Sequence, residues 1–89
     1  MTKEEYLKLL DQWGFPEPVE VQQPQNGYLD EHEHPFEVWA LVIEGYIEIV
    51  VDSVSKIYYA GDIFKLGFKQ AHSEYYGPQG VKYLASRKS

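Results

Sequence analysis

The chain has no cysteine, few basic residues and no long apolar run. Without cysteine, disulfides and thiolate metal sites are excluded, so stability must come from apolar burial, a bound metal or a partner subunit. Eight basic against fourteen acidic side chains leave a net charge of −6, which repels phosphate backbones. The basic residues are scattered apart from Arg87 and Lys88 near the end, so nucleic acid is not an expected partner. The longest uninterrupted apolar stretch, Val38 to Ile43, is too short to cross a bilayer, and no membrane association is expected. The opening Met-Thr-Lys-Glu-Glu lacks the apolar core of a signal peptide, which makes a cytoplasmic location the expectation. What the chain does have is aromatic bulk: two Trp, four Phe and eight Tyr in 89 residues. That length predicts one domain, at the small end of what folds unaided.

Two kinds of periodicity divide the chain. Thr2 and Glu5 have the spacing of a capping box, with Met1 and Tyr6 placed as a hydrophobic staple. Tyr6, Leu9, Leu10 and Trp13 then fall on one helical face, and Gly14 and Pro16 end the run. A short helix is predicted over 2–13. From residue 19 to 87 the pattern becomes strand-like. Segments near 19–23, 28–34, 38–44, 46–51, 55–59, 62–66, 71–76 and 80–87 are punctuated by Asn26-Gly27, Glu44-Gly45, Ala60-Gly61-Asp62 and Gly77-Pro78-Gln79-Gly80. Roughly eight short strands with tight connections predict an all-β fold, a small antiparallel β-barrel or jelly roll.

The three histidines carry the chemistry. His32 and His34 are two apart, which on a strand sends both rings to one face while Glu33 points away. His72 is distant in sequence, so only the fold can bring it to the pair. Three imidazoles on one face would leave coordination positions open to water, substrate or oxygen, the mark of a catalytic rather than a closed structural site. Each ring would need its second nitrogen anchored by a carbonyl or carboxylate, for which Asp30 and Glu74 are candidates.

The sequence around these histidines resembles the cupin family. Gly27 through His32, His34 and Glu37 to Gly45 looks like the first cupin motif, and Gly61-Asp62 through His72 is similar to the second. The resemblance covers about residues 27–76. It implies a small β-barrel holding one divalent ion, iron, manganese, nickel or zinc, on His32, His34 and His72. The chain departs from the pattern at several positions. Where the family's Glu ligand is expected stands Val38, and Glu37 is one residue early. On a regular strand that offset turns Glu37 away, although a bulge after Pro35 would turn it back. Gly67 and Lys69 stand where the family has Pro and Gly, and Tyr76 where it has a closing Asn.

On an extended strand Tyr76 shares a face with His72, and Tyr28 with His32. Either phenol serves a metal-bound ligand or fills the barrel. Val38, Ala40 and Val42 are expected to line the cavity, leaving Trp39, Leu41 and Ile43 outward, to be covered by the helix or by a second subunit. A homodimer is therefore expected. The function expected is that of a metal-dependent protein acting on a small molecule, with dioxygenase-type chemistry favoured over isomerase, decarboxylase or hydrolase chemistry. The alternative is a non-catalytic module that senses a ligand or is merely stabilised by its metal.

Overall fold

In the computed structural model, which describes all 89 residues, helix α1 (Lys3–Gln12) opens on the capping box read from the sequence. The Glu5 amide donates to Thr2 Oγ1 at 3.1 Å, and the Thr2 amide donates to Glu5 Oε1 at 2.9 Å. The helix buries Tyr6 and Leu10. Trp13, predicted on the same face, is 60% exposed because the chain turns at Gly14, and Phe15 enters in its place. The Phe15 ring stacks on Trp39 with centroids 4.2 Å apart.

Six strands follow: β1 (Val19–Gln23), β2 (Tyr28–His32), β3 (Glu37–Val51), β4 (Val54–Tyr59), β5 (Ile63–Leu66) and β6 (His72–Lys88). Every pairing is antiparallel. The eight expected strands become six because two apparent turns are bulges inside long strands. Gly45 interrupts β3 at φ +72° and Gly80 interrupts β6 at φ +74°, and the register of the β3–β6 ladder shifts on both sides of Gly45. A Cβ on Gly45 would collide with the Gly80 carbonyl, so the two backbones meet where both strands bend.

That bend makes the jelly roll. The first half of β3 pairs with the second half of β6, flanked by β5 and β1. The second half of β3 pairs with the first half of β6, flanked by β4 and β2. The two four-stranded layers share one apolar core. Val38, Ala40, Val42, Phe64 and Tyr83 come from one layer and Ile47, Ile49 and Tyr76 from the other.

The outer face of β3 has a separate covering. Tyr6, Leu10 and Phe15 pack on Leu41 and Leu84, with Trp39, Ile43 and Ile63 at the margin. Burying side chains of this size contributes about 1.5–3 kcal/mol each. The Tyr6 hydroxyl donates to the Trp39 carbonyl at 2.7 Å, and burial pushes its pKa up to about 12. The inward and outward assignments along Val38–Ile43 thus agree with the alternation in the sequence, and the cover is supplied by the chain's own helix.

Candidate metal centre

The site forms where β2 ends and β6 begins. His32 is the last residue of β2 and lies opposite His72, the first of β6. His34 was expected on the same strand, but β2 stops at His32, and His34 lies in the connection before Pro35. It still reaches the same place. Its ring is 4.9 Å from that of His32 and 5.4 Å from that of His72, and it stacks on Phe36 at 5.0 Å. Its carbonyl accepts the Lys69 amide at 2.7 Å, which ties the loop after His32 to the loop before His72. Lys69, at a position where the family has glycine, takes the left-handed backbone that glycine favours, with φ +54°.

A carboxylate completes the group. One ligand atom from each of His32, His34, His72 and Glu74 lies within 4.8 Å of all the others. Tetrahedral donors at about 2.1 Å from one ion stand about 3.4 Å apart, so the widest pair here would have to close by somewhat more than an ångström to share it. Two rings are already oriented for the task. His32 Nδ1 faces the Asp30 carbonyl at 2.7 Å and His72 Nδ1 faces the Gln70 carbonyl at 2.9 Å. A carbonyl only accepts, so both Nδ1 atoms carry protons and both Nε2 atoms point inward.

Electrostatically the group wants a cation. Glu74 is 5% exposed, with Oε2 at 3.1 Å from His72 Nε2 and 3.3 Å from His32 Nε2. Burial raises its pKa, but the hydrogen bond and charge of His72, the charge of His32 and the hydrogen bond from Tyr76 outweigh that and hold it below the usual carboxylate range. For His72, burial disfavours the charged ring. The bonds with Glu74 and the Gln70 carbonyl win, and its pKa is raised. His34 goes the other way, lowered by burial and then by the neighbouring rings, so it stays neutral with a lone pair to give. A buried carboxylate balanced only by protons on imidazoles is a set that a divalent ion fits.

Glu74 is the member that sequence reasoning left as one of two anchors. The other, Asp30, contributes its backbone carbonyl. Alternation along β6 puts His72, Glu74 and Tyr76 on one face, and that was the available signal. Glu37 is exposed at the start of β3, while Val38 faces the core, so no bulge turns Glu37 inward. Tyr76 is buried in the barrel, and its hydroxyl donates to Glu74 Oε1 at 3.2 Å. The expectation for Tyr28 fails. The β2 register shifts between Leu29 and His32, which breaks the alternation, and Tyr28 points outward, 61% exposed and stacked on Tyr75. Behind the histidines lies a cavity of about 130 Å³, walled by His32, His34, Glu74, Leu29, Phe36 and Val38 among others.

No family model matches the sequence, and no curated protein matches it. Solved structures match its fold. An RmlC-like cupin from Shewanella frigidimarina superposes with a TM-score of 0.68 at 22% identity, over 81% of this chain and 65% of that one. A cupin superfamily protein from Desulfitobacterium hafniense gives 0.68 at 16% identity, over 78% and 62%. This chain has the cupin fold. The DMSP lyase DddQ of Ruegeria pomeroyi has it too, with a TM-score of 0.71 at 18% identity, over 79% of this chain but 36% of the lyase. The present cupin domain thus spans less than two thirds of the length of each of these structures.

Proposed function

We propose that this cupin binds one divalent metal ion through His32, His34 and His72, with Glu74 as the fourth protein donor, and acts on a small molecule in the adjoining cavity. The observation that carries the reading is the convergence of four donors, two of them histidines with Nδ1 already anchored and one a buried carboxylate that calls for a cation. Bound there, iron would supply dioxygenase-type chemistry, the favoured form of the proposal, while manganese, nickel or zinc would supply Lewis-acid chemistry of isomerase or lyase type. The chain's own part is to orient. The Asp30 and Gln70 carbonyls fix two rings, and Tyr76 occupies Glu74 Oε1 so that Oε2 faces the histidines. Burial and the nearby Glu74 charge raise the Tyr76 pKa, which keeps the phenol protonated for that bond.

Elemental analysis of untagged protein beside the His32→Ala and His72→Ala variants tests this. Near-stoichiometric iron, manganese, nickel or zinc in the wild type and loss in both variants is the expected result. Equal metal in all three, or none after reconstitution, overturns it. A second reading is favoured by one observation: about 130 Å³ is small beside the ~300–1,000 Å³ of ordinary ligand pockets. A metal that only stabilises the barrel would raise the melting temperature yet support no turnover. Homodimerisation and a cytoplasmic location belong to the first proposal. Exposed Tyr28 and Tyr75, stacked on adjacent strands, support a pairing surface, and sedimentation equilibrium showing only monomer would refute it.

A further inference from the structure

Arg87 is the only arginine in the chain, and its placement is unusual for a surface cation. It lies opposite Val38 in the β3–β6 ladder, and directly paired residues share a face of the sheet. That face is the interior one: Tyr83, Ala85 and Arg87 alternate along β6, and all three line the cavity beside the histidines. The guanidinium carbon lies 5.3 Å from the centre of the Phe36 ring, which in turn stacks on His34. A stack of guanidinium, phenyl and imidazole therefore runs from the exposed mouth to the donor group. Despite fourteen acidic residues, no carboxylate pairs with Arg87; the ion pairs are His32–Glu74, His72–Glu74 and Lys82–Glu44. The rest of the wall is mostly apolar, with Leu29, Phe36, Val38, Phe64 and Leu66 prominent.

Building on the metal-site reading, we propose that the cavity selects a small carboxylate, its acid group held by Arg87 at the mouth and its short apolar body lying toward the histidines. The guanidinium fork matches a carboxylate with two parallel hydrogen bonds, and the apolar wall suits a short carbon chain better than a strongly hydrated phosphate. A cavity of about 130 Å³ is small beside ordinary ligand pockets, which favours a ligand of few carbons.

Calorimetric titrations with propionate, butyrate, butyramide and inorganic phosphate test this on zinc-loaded and on chelator-stripped wild-type and Arg87→Gln proteins, with metal content measured in parallel. The expected result is that the carboxylates bind wild type more tightly than butyramide or phosphate, and that Arg87→Gln weakens only the carboxylates, by about tenfold or more. Metal content is expected to be equal in the two loaded proteins. Carboxylate binding that is absent, unchanged in Arg87→Gln, or no tighter than that of amide or phosphate overturns the inference and leaves the metal site standing. Arg87-dependent carboxylate binding to a protein that takes up no metal supports the inference while refuting the metal site.

Discussion

Replacing Glu74 by glutamine keeps the side-chain volume and the hydrogen bond from Tyr76 but removes the charge facing His32 and His72. If that carboxylate balances a bound cation, metal affinity falls by about 10–100-fold or more, measured by competition with a coloured chelator. Unchanged affinity would show that Glu74 neither binds nor orients the metal. Glu37→Gln is the matched control, since Glu37 is exposed and outside the donor group, and it is expected to leave affinity as it was. The contrast also shows what single residues reveal in a sequence. His32, His34 and His72 could be named because imidazoles are scarce and chemically specific. Glu74 could be placed on the correct face by alternation, but among fourteen acidic residues nothing marked it as the buried one. Tyr28 was misplaced because a one-residue irregularity in β2 reverses a face, and bulges leave no reliable residue signature.

At the scale of elements, the helix and the strand faces were legible because each rests on a strong period, 3.6 or 2. The strand count was not, because a glycine with positive φ serves equally in a turn and in a bulge. Gly45 decides the matter physically. Gly45→Ala forces a Cβ into the Gly80 carbonyl and strains a backbone at φ +72°, for an expected loss of more than about 2 kcal/mol. Gly67→Ala, where the nearest atom stands 3.6 Å from the added Cβ, should be nearly silent in the same urea titration. The helix interface gives a pH prediction. The Tyr6 pKa is raised from 10.0 to about 12, so the fold favours the neutral phenol. That stabilisation is complete below pH 10 and is lost as pH climbs from 10 to 12, at about 1.4 kcal/mol per unit. Tyr6→Phe loses the bond to the Trp39 carbonyl and is weaker by about 1 kcal/mol at pH 8. Its further decline between pH 10 and 12 should be shallower than that of the wild type; Tyr76 and Tyr83, also raised, account for what remains. Parallel slopes in the two proteins would mean that Tyr6 ionises without regard to the fold.

For the molecule as a whole, the donor group couples metal to stability because its members come from opposite ends of a long loop in the chain. His32 closes β2, His34 sits in the connection to β3, and His72 and Glu74 open β6. An ion bound to all four joins segments that otherwise meet through one irregular ladder and one hydrogen bond donated by the Lys69 amide to the His34 carbonyl. The unfolded chain lacks this arrangement, so binding energy adds directly to folding energy. With free metal at one hundred times its dissociation constant the gain is about 2.7 kcal/mol. For a domain of this size that raises the melting temperature by about 10–20 °C. Calorimetry with and without chelator should show this rise in the wild type and its reversal. In His72→Ala the metal-free melting temperature should fall, because Glu74 is left buried beside fewer protons, and added metal should recover little of the loss. A melting temperature indifferent to metal in the wild type would mean that the four side chains meet without binding an ion together, and the reason for the buried carboxylate would have to be sought in the imidazolium charge alone.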